Sequence, residues 1–264
     1  MKKLKNAPLI YTIGVIKFPR IPALDRFIDS FHDKIRSEYP LDDECKVSIF
    51  NADFGSKGVQ FIQQENKIWQ FTSVDKDWAF VLTDQSLCLH TVNYQDFPYF
   101  TDRFKKGFNA LLQTPDIGIE WTVMIGLRYV NLISAKGDDK LNDYLQPWVL
   151  PPESPSGTLT MIQGAHVTRY YTKMGELRMQ VLQNPQFTLP PELQSPLIIK
   201  NEWMKSRPET DFALIDIDHS IIFDVPAKIT LSSSIKHLTD LNVISTSIFE
   251  SIGTQLSQKK WKGK

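Results

Sequence analysis

Cysteine is scarce in this chain: its 264 residues include two, Cys45 and Cys88, far apart and each inside an apolar segment. A disulfide framework or a zinc site needs more thiols at closer spacing, so the two read as buried free thiols of a reducing compartment. A surplus of either charge is also missing, with Lys plus Arg and Asp plus Glu at 30 each. Nucleic-acid binders take most of their affinity from neutralised phosphates, and a balanced total argues against that class unless a local basic patch is hidden in it. No apolar run approaches the roughly 20 residues that cross a bilayer. The opening "MKKLKNAPLIYTIGVIKFP" starts basic and turns apolar, but Pro8, Gly14, Lys17 and Pro19 interrupt it and no small-residue cleavage site follows. The expected location is the cytoplasm, with no membrane contact.

The 12 glycines are dispersed, which leaves neither a phosphate-cradling loop nor a dinucleotide fingerprint. Five histidines, His32, His90, His166, His219 and His237, show no paired metal-ligand spacing. "SPSG" at 154–157 is not a nucleophile elbow, which needs Gly-x-Ser-x-Gly between a strand and a helix. Cys88 and His90 share a strand face, yet a catalytic thiol is better placed at a helix start, where its pKa falls. No catalytic residue, metal or cofactor is expected on these grounds.

Apolar patterning is what the chain has in quantity. Residues 9–18, "LIYTIGVIKF", read as a strand closed by Pro19. Leu24, Phe27, Ile28, Phe31 and Ile35 recur at helical spacing over 22–38, with His32 beside the stripe as a surface residue. From Lys46 to Tyr94, the segments "VSIF", "VQFIQ", "IWQFTS", "WAFVLT" and "LCLHTVNY" are separated by "NADFGSKG", "QQENK", "SVDKD" and "TDQS". That spacing predicts a meander of short antiparallel hairpins. Phe97 to Leu112 returns to a helical period with Asp96 placed as its cap, and a strand over 118–133 follows. Pro147, Pro151, Pro152, Pro155 and Gly157 mark an inner boundary, dividing a half at 1–146 from one at 158–264 through a linker at 147–157. Beyond it come two strands joined at "KMG", a strand in "TDFALIDIDHSII", and a helix from Ser232 to Gln258 striped by Leu238, Leu241, Ile244, Ile248, Ile252 and Leu256. The expected class is α+β: antiparallel sheets with long amphipathic helices on one side, in two pseudo-duplicated halves fused into one globule.

Several phrases carry a family likeness. "LKNAPLI", "WQFTSVDKDWAFVLT", "LCLHTVNYQDFPYF", "GLRYVNLI" and "LIDID" followed by a helix beginning "IKHL" resemble a sporadically distributed prokaryotic family of about this length. The resemblance covers nearly the whole chain and brings no catalytic residues. It implies horizontal transfer, and so a setting in defence systems, toxin–antitoxin pairs or mobile elements. Tyr11 and Thr12 stand where that pattern leads one to expect an acidic residue nearby.

The residues best placed for chemistry lie in "WTVMIGLRYVNLI", 121–133. Strand alternation puts Leu127, Tyr129, Asn131 and Ile133 on one face and Gly126, Arg128, Val130 and Leu132 on the other, both mostly apolar. A buried guanidinium needs a carboxylate, and the Asp residues of "LIDIDHS" or "SVDKD" are the expected partners. The alternative is an anion site built from Arg128, Asn131, Asp216 and Asp218 at the seam between halves. That site needs a bulge, which Gly126 could provide, to bring Arg128 and Asn131 together. "DIDH" at 216–219 is a weak metal pattern, since alternation sends the two aspartates to one face and His219 to the other. The tail "QKKWKGK" sets Trp261 among Lys259, Lys260 and Lys262 and suits nucleic acid or an acidic surface. The sequence therefore favours a non-catalytic subunit that binds a protein partner, in an adaptor, antitoxin, immunity or chaperone-like role. The alternative is an enzyme or sensor holding a nucleotide or other anion between the halves.

Overall fold

The stretch from Trp121 to Ser134 forms β6, which pairs antiparallel with β1 (Leu9–Lys17) on one side and β9 (Phe212–Lys228) on the other. In this computed structural model residues 6–55, 58–152, 156–193 and 207–263 are described, with side chains outside 47–66. The remaining strands are β2 (Leu41–Gly55), β3 (Gly58–Thr72), β4 (Trp78–Thr83), β5 (Ser86–Thr91), β7 (Gly164–Tyr171) and β8 (Glu176–Gln183). All nine form one sheet in the order β2-β3-β4-β5-β1-β6-β9-β8-β7, and every neighbouring pair is antiparallel. The sheet runs across the Pro-rich segment at 147–157, because β6 and β9, from either side of it, pair from Trp121↔Lys228 to Ser134↔Phe212.

The helices are α1 (Ile28–Ile35), α2 (Phe97–Leu112), α3 (Leu141–Tyr144), α4 (Leu231–Ile252) and α5 (Gln255–Lys262). Phe100, Phe104, Phe108 and Leu111 of α2 pack with Ile16, Phe80, Leu82 and Leu89 of the sheet, and Phe31 and Ile35 of α1 with Leu238 and Leu241 of α4 join the same core. A second core sets α3, the end of α4 and Trp261 of α5 against Leu177, Met179, Val181, Ile215 and Ile217. Both cores lie on one face of the sheet, the one to which period-2 alternation sends these residues. The opposite face carries Tyr11, Ile13, Val130 and Leu214, covered by Leu189 with Phe187 and Leu193. The fold is α+β with an antiparallel sheet; α2 and α4 are long, α1, α3 and α5 are short, and the sheet dominates.

Several local expectations change. "QQENK", read as a turn, lies inside β3, whose ladder with β2 is continuous from Leu41↔Thr72 to Gly55↔Gly58. A backbone ladder needs N–H and C=O groups, and polar side chains do not interrupt it. The helix expected over 22–38 is a 3-10 turn at Leu24–Phe27 followed by α1 alone, and His32 is half-buried, its Nε2 2.9 Å from the Tyr39 carbonyl. The closing helix breaks at Gly253, where a Cβ would lie 2.8 Å from the Trp261 ring. The Thr254 hydroxyl then accepts from the Ser257 N–H to start α5. Asp96 caps α2 as expected, accepting from the Tyr99 N–H at 2.8 Å. Ser154 and Pro155 of "SPSG" lie outside the described residues.

Gly107 marks where α2 comes closest to the sheet: an added Cβ would sit 2.1 Å from the Phe80 ring. In an open helix Gly→Ala gains about 1 kcal/mol, but overpacking a filled core costs about 1–3 kcal/mol. Gly107→Ala should therefore lower stability in equilibrium urea unfolding. A rise in the midpoint would show that α2 does not press on Phe80.

Candidate functional site

Arg128 lies on the face away from the long helices. Its Nε donates to Asp216 Oδ1 at 2.8 Å, and its Nη2 donates to Asp216 Oδ2 and to Glu192 Oε1, both at 2.6 Å. The Arg128 and Asp216 side chains are 13% and 4% exposed, so the pair is largely out of water. Burial by itself loosens the guanidinium proton, but the hydrogen bonds and charge of Asp216 outweigh it and raise the pKa above its ordinary value. Asp218, directly opposite Arg128 in register, makes no hydrogen bond among the described residues. Burial holds its carboxyl above the usual range, with the Arg128 charge pulling the other way. Nearby, Tyr11 Oη lies 3.2 Å from His90 Nδ1, and burial with the charge of Arg128 pushes His90 down to about 4.

This cluster sets the guanidiniums of Arg128 and Arg178 against the carboxylates of Asp216, Asp218 and Glu192. Its balance is negative, and the protein's own acids occupy the groups of Arg128 that would hold a phosphate. Asn131 is absent from it. The β6 ladder is regular through Gly126, with its shift between Thr122 and Met124, so Asn131 stays on the helix-covered face. The four residues expected to form one anion site are thus divided by the sheet.

On the helix-covered face lies a cavity of about 360 Å³. Tyr129, Asn131 and Ile217 line it from the sheet, and Ala7, Pro8 and Leu9 from the chain entering β1. Tyr94, Asp96 and Phe97 contribute at the start of α2, and Asn242, Ser245, Thr246 and Phe249 from α4. The α4 positions recur at i, i+3, i+4 and i+7, one helical face. Tyr129 Oη donates to Asn242 Oδ1 at 2.8 Å, and Thr246 Oγ1 donates to the same oxygen at 3.2 Å. The Tyr94 and Tyr129 rings meet at 84°, their centroids 5.8 Å apart. Burial pushes Tyr94 up to about 12, with the Asp96 charge adding to it, and raises Tyr129 well above its ordinary value.

Asn131 is 3% exposed, and its single hydrogen bond among the described residues runs from Nδ2 to the Ile215 carbonyl at 3.5 Å, the outer limit of such contacts. Asn131 thus sets a weakly bonded amide at the cavity wall.

Ser245 and His219 resemble a nucleophile and base, with Oγ 3.4 Å from Nδ1. However, Nδ1 also faces the Leu241 carbonyl at 3.2 Å, which can only accept, so Nδ1 carries the hydrogen and Nε2 accepts from the Thr172 hydroxyl at 3.0 Å. Burial lowers the His219 pKa and keeps the ring neutral. Ser245 therefore has no base at Nδ1.

The C-terminal basic segment is a docked helix. Trp261 is buried and stacks on Phe249 at 5.0 Å, Lys260 Nζ donates to Tyr144 Oη at 2.7 Å and pairs with Asp139, and Lys259 and Lys262 are exposed. The aromatic surface read as available to a base is committed to the core. Cys45 and Cys88 are free and half-buried, and no group of three or more metal-ligating side chains occurs among the described residues.

The sequence reading missed Tyr94, Tyr129 and the α4 stripe. Asn242, Ser245, Thr246 and Phe249 carried a signal, a polar helical stripe beside the apolar one. Tyr94 and Tyr129 carried none, since nothing local says that they meet.

Arg128→Ala should cost about 3–5 kcal/mol, because it leaves the Asp216 carboxylate buried without its partner. Replacing both with Leu should recover most of that in urea unfolding. A loss below about 1 kcal/mol for the single variant would show that Arg128 is dispensable to the fold. No family model, curated protein or solved structure matches the chain, so the geometry alone carries the functional reading.

Proposed function

We propose that the protein is a non-catalytic binding protein that takes a small organic molecule into the cavity between β6, α2 and α4. The supporting observation is the pairing of a concave, largely apolar space of about 360 Å³ with the under-bonded Asn131 at its wall. Pockets of roughly 300 Å³ and above, apolar with a few convergent polar groups, are the usual form of small-molecule sites. The neutral, hydrogen-bonded state of His219 beside Ser245 favours binding over turnover. A ligand of the folded state alone raises the melting temperature by mass action. Native mass spectrometry and thermal shift against a library of small uncharged and charged organics should find such a ligand. Thr246→Leu, which adds carbon at the cavity wall, should abolish the shift while the protein stays folded. Shifts of equal size in the wild type and this variant would sink the assignment to this cavity.

A second reading, a subunit that docks on another protein in an adaptor, antitoxin or immunity role, is favoured by a different observation. Val167, Tyr171, Ile222 and Val225 of β7 and β9 are 49%, 95%, 68% and 78% exposed. Tyr171 falls in register with Ser220 through Glu176, two residues from Ile222, and adjoining exposed apolar groups are a common mark of protein contact sites. On this reading Tyr171→Ser with Ile222→Ser should release a stoichiometric partner from the affinity-purified protein without lowering its melting temperature. Retention of the same partner by the double variant would exclude this surface.

A further inference from the structure

Resting on the cavity reading, the chemistry of the walls narrows the ligand. Four aromatic residues line the space: Tyr94, Phe97, Tyr129 and Phe249. Two of the rings, Tyr94 and Tyr129, stand nearly perpendicular at 84° and form a corner. Aromatic faces carry negative charge density, and the faces not used within this edge-to-face pair attract a positive group. Among the described residues Asp96 is the single formally charged one on the wall, and no Lys or Arg of them lines the cavity.

Asp96 uses Oδ1 to cap α2 and makes no hydrogen bond through Oδ2 among the described residues. The Asn131 carbonyl oxygen makes no hydrogen bond among the described residues. At the start of α2 the Tyr99 and Phe100 N–H groups are already bonded to Asp96 and Pro98 has none, which leaves an anion the Phe97 N–H alone of the first four. Among the described residues an anion would meet a carboxylate and no counter-charge. A cation would meet ring faces, a carboxylate and an amide oxygen.

We propose that the cavity binds a small organic cation, an alkylated ammonium group on a short carbon body, with the head in the Tyr94–Tyr129 corner near Asp96. Desolvation of a quaternary head is mild because it has no N–H to satisfy, and an aromatic corner replaces its hydration at close range.

Choline and its uncharged isostere 3,3-dimethylbutan-1-ol differ in the charge of one head group of the same shape. Isothermal titration calorimetry of the full chain at low salt should give choline at least about tenfold tighter binding than the alcohol. Asp96→Asn keeps the helix cap, as Asn and Asp cap equally well, and should weaken choline several-fold while leaving the alcohol unchanged. Should that variant unfold, Tyr94→Leu tests the corner by the same comparison. Equal affinity for the two probes, or no heat from choline, overturns the cation proposal. In that case a neutral compound whose binding Thr246→Leu abolishes would leave the cavity reading standing, whereas binding indifferent to Thr246→Leu would remove both.

Discussion

The pair between Arg128 and Asp216 ties the two stretches of chain on either side of the Pro-rich segment into one sheet. Asp218 is the residue directly opposite Arg128, yet the guanidinium reaches diagonally to Asp216 and grips both of its oxygens. A slip of β9 by one residue would send Asp216 to the helix-covered face and strand two charges out of water. Desolvation cancels much of the attraction within a buried pair, so its net contribution to stability is modest. Its larger effect here is on register. One-residue slips of β9 against β6 leave both charges unpaired, and an uncompensated buried charge costs several kcal/mol.

Once that register is set, alternation fixes the other face of the same two strands. Tyr129 and Asn131 flank Val130 in sequence, and Tyr129 pairs with Ile217 across the ladder. These three residues form the sheet wall of the cavity. The cavity therefore rests on the stretch of β6 and β9 whose mutual register the ion pair fixes, with that pair behind it on the opposite face. Binding groups mounted on such a base lose little freedom when a ligand arrives, because most of the ordering has already occurred on folding. α2 and α4 supply the remaining walls, and the Asp96 cap sets where α2 begins and so where Tyr94 and Phe97 stand.

Much of this was legible in the sequence where the signal is local. The β6 alternation separated Arg128 from Asn131, "LIDIDHS" supplied the acid that Arg128 needs, and Asp96 announced the start of α2. Composition misled where tertiary contacts decide. "QQENK" resembles a turn because it is polar, but a paired strand in a hairpin tolerates such residues. "QKKWKGK" resembles an exposed basic arm, but Gly253 gives the chain room to fold back and set Trp261 against Phe249. The cavity itself draws on residues from 7 to 249, so no window of sequence contains it.

The under-bonded Asn131 bears on why such a space persists in a folded protein. A hydrogen bond at the outer limit of length offsets little of the cost of taking an amide out of water. A chain built for packing alone removes that cost with an aliphatic residue, which would also let α4 settle onto the sheet. Here the polar choice recurs along the α4 face: Asn242, Ser245 and Thr246 occupy positions where a larger aliphatic side chain such as Leu would fill the space. Asn242 is itself held in place by the Tyr129 and Thr246 hydroxyls. Water can occupy a polar space of this size and offset part of the deficit. A wall that combines hydrogen-bonded polar groups with aromatic side chains is an arrangement in which an entering molecule gains by displacing poorly held water.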